Sequence, residues 1–159
     1  MYNINVVSHI EIFIFTKVAS AFTLVLCLIF IFFFLIKINE KHKAISLLVA
    51  SFVLFTTVIS AKEYFKIARP TNSIIEASGY AFPSGHAAGI VFLATIVSFL
   101  SWHLTSYYRY VVLTLCIITV VVVAYSRIAL HVHTWFQVLV GIGFGLVSGY
   151  LFIYLCTRR

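Results

Sequence analysis

Aspartate is missing from this chain, and the acidic residues are four scattered glutamates, Glu11, Glu40, Glu63 and Glu76. No pair of carboxylates stands ready to hold a divalent cation, so the reading calls for no metal and no other cofactor. Cysteine is equally scarce. Cys27, Cys116 and Cys156 lie singly in apolar runs without CxxC spacing, which implies neither a disulfide framework nor a zinc site and leaves inert packing thiols. Proline occurs twice, at Pro70 and Pro83. No internal repeat, low-complexity tract or linker interrupts the chain, so residues 1–159 are read as a single domain.

What fills the remainder is hydrocarbon. Hydrophobic residues make up 63% and charged residues 9% of the chain, with a mean hydropathy of +1.12. No soluble domain of this size needs so much apolar surface to fill its core, so the expected class is an all-α integral membrane bundle. Five segments approach the roughly 20 apolar residues of a spanning helix, at about 18–38, 44–62, 87–102, 110–126 and 135–156. The first is too long, and too closely followed by lysines, to be a cleaved signal peptide. His9 to Lys17, where charge is mixed with Ile and Phe, reads as an interfacial stretch.

The formal net charge of +7 does not run along a solvated stripe, which argues against nucleic acid as a partner. Instead Lys37, Lys41 and Lys43 separate the first two spans, Arg109 separates the third and fourth, and Arg158 and Arg159 follow the fifth. The positive-inside rule sets these regions in the cytoplasm of a plasma-membrane protein, with the N-terminus out and the C-terminus in. Both remaining connections then face the exterior or periplasm. They carry most of the polar reactive side chains.

Those side chains fall in three stretches, KEYFKIARP at 62–70, PSGH at 83–86 and SRIALHVHTWFQ at 126–137. Polar groups kept in a lipid-soluble chain are costly unless they serve a function. Lys62 and Arg69 are seven apart, so a helix continuing that far would project both cations from one side, toward an anionic headgroup. Snorkelling at a helix end is the alternative reading. Pro70 would then end the helix. In PSGH, Ser84 suits a helix cap, Gly85 permits close backbone approach to a phosphate, and His86 stands beside the free amides. A simple loop-to-helix turn is the alternative there. Arg127 is a fork-shaped donor suited to phosphate. Of the two histidines, His133 is favoured over His131 because Gln137 lies at i+4 and can meet it on one helix face. Gly141, Gly145 and Gly149 continue that stripe and predict a close helix approach.

In this order, K-x6-RP, PSGH and SR-x5-H resemble the three-part signature of the type 2 phosphatidic acid phosphatase (PAP2) superfamily. The motifs span residues 62 to 137, and hydropathy points to its membrane phosphatase branch rather than to its soluble vanadium haloperoxidases. The resemblance implies that Lys62, Arg69, Arg127, Ser84 and the amide of Gly85 bind the phosphoryl oxygens. His133 would form a phosphohistidine, and His86 would protonate the leaving oxygen and later activate water. The implied substrate is a lipid phosphate or diphosphate, with undecaprenyl diphosphate ahead of phosphatidylglycerol phosphate, phosphatidic acid and lipid A phosphates. The oligomeric state is not legible.

Two departures from the family stand out. Its membrane members commonly have six spans, and only two precede the first motif here. At position 137 the pattern SR-x5-H-x3-D expects an aspartate, and this chain has Gln137. A neutral amide accepts a hydrogen bond without supplying charge and can flip to present its donor. In a serine protease, replacing the orienting acid by its amide lowers turnover about 10⁴-fold. Two further functions therefore stay open, a catalytically impaired lipid-phosphate binder and a lipid phosphotransferase. Gln137→Asp is expected to raise turnover.

Overall fold

A backbone crossing hydrocarbon must satisfy its N–H and C=O groups internally, so each apolar run is driven into a helix. In the structure, a computed structural model describing residues 21–75 and 77–158, the helices are α1 (Ala21–Lys37), α2 (Lys41–Phe65), α3 (Gly85–Leu100), α4 (Ser106–Ala129) and α5 (Trp135–Thr157). A 3-10 turn, Ser101–His103, extends α3. The five expected segments are all present, with ends shifted by a few residues. The expected interfacial stretch from His9 to Lys17 lies outside the described residues.

Helices α2 and α4, α5, and α3 with its 3-10 extension are each long and apolar enough to span a bilayer, while α1 is a shorter apolar helix. Large apolar side chains point outward along the bundle, among them Phe30 (71% exposed), Phe52 (70%) and Val147 (70%). Water would penalise that surface and lipid tails do not. The chain is a multi-pass membrane protein.

The core lies among α1, α2, α3 and α5, where Leu35, Leu47, Leu54, Phe92, Ile96 and Phe152 are almost fully buried. α3 and α5 make the tightest pair. A Cβ added at Gly141 would collide with the carbonyl oxygen of Ser84, and one at Gly145 with that of Ala88 and, at 2.9 Å, with Cβ of Val91. The glycine stripe therefore does what its spacing suggests: it lets the two backbones come together. It also brings the start of α5 against the start of α3, which sets the third motif beside the second.

Because α2 and α4 run toward the end of the bundle where α3 and α5 begin, all three polar stretches gather there. The opposite end carries aromatic–cation pairs, with the Arg109 guanidinium 4.6 Å from the Trp102 ring centre and that of Arg158 4.5 Å from Tyr154.

Candidate active site

Lys62 stands in the last turn of α2, which stops at Phe65 because Lys66 adopts a left-handed conformation (φ 47°). Arg69 is thus off the helix, and the two-turn argument that aligned it with Lys62 does not apply. The two cations meet by another route. The chain returns so that Ser78, Gly79 and Tyr80 present successive carbonyls, with Gly79 at φ +72°, where an L side chain is strained. Arg69 donates from Nη2 to Ser78 O (2.9 Å) and from Nε to Gly79 O (3.1 Å), and Lys62 Nζ donates to Tyr80 O. Arg69 Nη1 also reaches Val132 O (3.2 Å), so one guanidinium ties the first motif's loop to the third's.

Ser84 caps α3: its Oγ accepts from the Ala87 N–H at 3.4 Å, and the residue is fully buried. The loop in front of it is wedged by Phe82, whose ring meets Phe65 edge-on (4.9 Å between centres) and stacks on Phe136 (5.8 Å). Each such pair adds about 0.5–1.5 kcal/mol beyond its buried area. At Gly85 a Cβ would make only an ordinary contact with Val58 (3.7 Å). Internal packing does not require a glycine there.

The third motif folds onto itself. The amides of Val132 and His133 both donate to the carbonyl of Arg127 (3.2 and 3.3 Å). Arg127 is buried, its Nε donates to Ser126 Oγ (3.3 Å), and its Nη2 is buried without a partner among the described residues. His131 turns away at φ 54° and pairs with Asn72, Nδ1 to Nδ2, at 3.2 Å on the surface. His133 turns inward and is 4% exposed.

The ring of His133 is fixed from both sides. Nδ1 lies 2.8 Å from Ala81 O and 3.2 Å from Gln137 Oε1, two acceptors, so Nδ1 carries the proton and donates. Nε2 then holds the lone pair, and Arg69 Nη1 stands 3.4 Å from it. Burial above all, and next the Arg69 charge, push the His133 pKa down to about 4, against the smaller raising effect of the hydrogen bonds to Gln137 and Ala81. Burial also lowers Arg69 from its ordinary value.

Gln137 does not behave as a free amide. Its Oε1 accepts from the Thr134 backbone N–H at 3.0 Å, and the Gln137 backbone N–H donates to Thr134 Oγ1 at 3.4 Å, a reciprocal capping box at the start of α5. A backbone N–H can only donate, so the oxygen is held toward Thr134 and His133. The flip anticipated from sequence is blocked.

Lys62, Arg69, His86 and His133 line one cavity of about 270 Å³. Its inner part is apolar, bounded by Leu24 and Leu28 of α1, Leu54 of α2 and Phe92 of α3. Arg127 lies within electrostatic reach of His86. Of the residues singled out from sequence, the structure therefore brings Lys62, Arg69, Gly85, His86 and His133 around one cavity. Ser84, Arg127 and Gln137 do not line it: Ser84 precedes Gly85 in the chain, and the carbonyl of Arg127 and the side chain of Gln137 hold His133. No group of three or more His, Cys, Asp and Glu side chains among the described residues is placed to hold a metal ion.

Residues 46–159 match the sequence profile of the PAP2 superfamily. The chain belongs to this superfamily. No curated protein matches it. Among solved structures it is similar to the first transmembrane PAP2-type phosphatidylglycerolphosphate phosphatase from Bacillus subtilis, with a TM-score of 0.80 and 23% identity over 91% of this chain and 74% of the other. At that identity the likeness establishes a shared membrane PAP2 fold. The matched region contains all three motifs of this PAP2 protein and begins within α2.

Motif reading missed the carbonyls of residues 78–81, each of which accepts from a candidate site side chain. A carbonyl belongs to every residue type and leaves no mark in a sequence, although the glycine at 79 is the kind of residue such a turn requires.

Proposed function

We propose that this PAP2 protein is a lipid phosphate phosphatase working through a phosphohistidine, and that residues 1–159 form its single catalytic domain. The observation that carries the proposal is the meeting of two histidines and two cations around one cavity with an apolar inner end, together with a buried Arg127 Nη2 that has no partner among the described residues. Buried N–H groups are almost always satisfied, and a phosphoryl oxygen is the partner this set of cations suits.

In the proposed reaction, Lys62, Arg69 and Arg127 offset the charge on the phosphoryl oxygens, with help from the amides at the start of α3. The Nε2 lone pair of His133 attacks the terminal phosphorus, the bond to the leaving oxygen breaks (the bridging oxygen of a diphosphate, the lipid oxygen of a monoester), and His86 gives that oxygen its proton. Water, deprotonated by His86, then attacks the phosphohistidine, breaking the P–N bond and releasing phosphate. The Nδ1–H tautomer supports this assignment, since it leaves Nε2 as the nucleophile.

Leu54 is about 12 Å below Lys62 along α2, at about 1.5 Å per residue, so the apolar end suits the first part of a lipid chain. Undecaprenyl diphosphate is the proposed substrate, ahead of phosphatidylglycerol phosphate and phosphatidic acid. The lysine and arginine distribution supports a site on the outer face of the plasma membrane, with the N-terminus out and the C-terminus in.

Gln137 favours a second reading, a lipid-phosphate binder without turnover. Phosphate release from a panel of lipid phosphates, together with trapping of ³²P on the protein, separates the two. The phosphatase reading expects release and an acid-labile label, both lost in His133→Ala. Binding without label or release selects the second reading. Transfer of the label to another lipid or sugar in place of water marks a phosphotransferase.

A further inference from the structure

We propose that the backbone carbonyl of Ala81, and not the side chain at position 137, is the principal positioning group for His133. This rests on the reading of His133 as nucleophile, and it explains how a chain with glutamine at that position keeps the imidazole in its working tautomer.

Three observations point the same way. The Ala81 oxygen is the nearer acceptor, 2.8 Å from Nδ1 against 3.2 Å for Gln137 Oε1. The Gln137 oxygen is shared, because it already accepts from the Thr134 N–H at 3.0 Å. A hydrogen bond divided between two donors holds each less firmly than one given to a single donor. Finally, the Ala81 carbonyl is rigidly mounted. Ala81 is completely buried, its own N–H donates to Ile67 O at 2.8 Å, and Phe82 beside it is clamped between Phe65 and Phe136.

The Ala81 acceptor is fixed by the backbone itself, whereas the Gln137 oxygen keeps its orientation only through the Thr134 N–H it must share. Selection of the Nδ1–H form is therefore built into the loop before α3. The same loop holds Arg69 through Ser78 and Gly79 and Lys62 through Tyr80, so four consecutive carbonyls align two cations and the nucleophile against one another. What the carbonyl does not supply is negative charge. A carboxylate at 137 would raise the basicity of His133, and Ala81 leaves it low.

The test reads the tautomer directly, without turnover, by long-range ¹H–¹⁵N correlation on histidine-labelled full-length protein in nanodiscs at pH 7. Two variants are compared with the parent. In Gln137→Ala the side-chain acceptor is gone. In the other, phenyllactic acid incorporated in place of Phe82 makes the 81–82 linkage an ester, whose carbonyl is a weaker acceptor, and the Phe82 N–H that is lost has no partner among the described residues. The expected result is an Nδ1–H imidazole in the parent and in Gln137→Ala, which keeps at least a tenth of parental turnover, and a mixed tautomer in the ester with a larger loss.

A mixed or Nε2–H imidazole in the parent or in Gln137→Ala overturns the proposal, as does an unchanged Nδ1–H signal in the ester. Should the ester protein not fold, Gln137→Ala decides alone, its retained Nδ1–H signal upholding the proposal. An Nδ1–H His133 in a protein that releases no phosphate would sink the phosphatase reading and leave this one standing.

Discussion

The Thr134 backbone N–H and the Nδ1–H of His133 converge on one oxygen, Gln137 Oε1, at 3.0 and 3.2 Å. Where the PAP2 pattern expects a carboxylate, this chain has a helix-capping amide that also touches the proposed nucleophile. The geometry of the orienting residue is retained, and its charge is not.

Burial and the Arg69 charge set the pH dependence, with no carboxylate to oppose them. His133, held at about 4, is neutral and competent above roughly pH 5, and rate is lost as the pH falls through 4 and the ring protonates. Gln137→Asp places an anion beside the ring, which favours imidazolium and raises this pKa. The acid limb of kcat/KM should therefore move upward by about one pH unit or more, while turnover at pH 8 rises because the imidazole is more basic. Profiles of both proteins on one lipid phosphate check this. An acid limb in the same place for both would show that the buried amide does not set the basicity of His133.

Arg69→Lys should be far from conservative. An ammonium cannot span Ser78, Gly79 and Val132 as the guanidinium does, and loss of two such bonds costs about 3 kcal/mol at about 1.5 kcal/mol each. Melting temperature and kcat/KM should fall together. A matching change at Lys62, which holds one carbonyl, should reduce activity with less effect on melting. Equal melting temperatures in the two variants would contradict the clamp.

The apolar end of the cavity predicts a specificity variant. A Cβ at Gly89 would come within 2.7 Å of Leu24 Cδ1, and a leucine there would fill the space between α1 and α3. Losing contact with about two methylenes, at about 0.8 kcal/mol each, corresponds to roughly tenfold in affinity. Gly89→Leu should raise KM for a long-chain lipid phosphate by about that factor and leave a short-chain soluble phosphate ester unaffected. A parallel loss on both substrates would mean damage to the polar end instead.

How far the sequence reveals this arrangement depends on which atoms do the work. Side-chain chemistry was legible: the apolar runs give the five helices, the glycine stripe gives the α3–α5 contact, and the i+4 spacing to Gln137 separates His133 from His131. Backbone chemistry was not. Helix α2 ends at Phe65 although no glycine or proline stands before Pro70, because Lys66 takes a left-handed turn that its residue type does not advertise. The carbonyls of 78–81 were silent for the same reason, and the meeting of Leu24 with Gly89 joins helices far apart in the chain. Convergence on one end of the bundle needed only the alternation of the helices, which the apolar runs already implied.

The α3–α5 seam allows a matched pair of substitutions that tests whether the site depends on it. At Gly145 any Cβ meets the carbonyl of Ala88, Cβ of Val91 at 2.9 Å and the amide of Phe92 at 3.1 Å, two backbone atoms and a Cβ bonded directly to the backbone, none of which can step aside. At Gly143, two residues away on the same helix, a Cβ meets nothing within 4 Å. Gly145→Val should cost about 3 kcal/mol, the upper range for overpacking, and by prising apart the starts of α3 and α5 it should disturb the Ser84 N–H to Gln137 O bond of 3.0 Å that joins the second motif to the third. Gly143→Ala should be neutral or stabilise slightly, since alanine is the better helix former. Thermal unfolding in detergent and phosphate release would be measured on both. Full activity in a destabilised Gly145→Val protein would show that the motifs hold their geometry through the loops alone, and the seam would then be a feature of packing without a part in the chemistry.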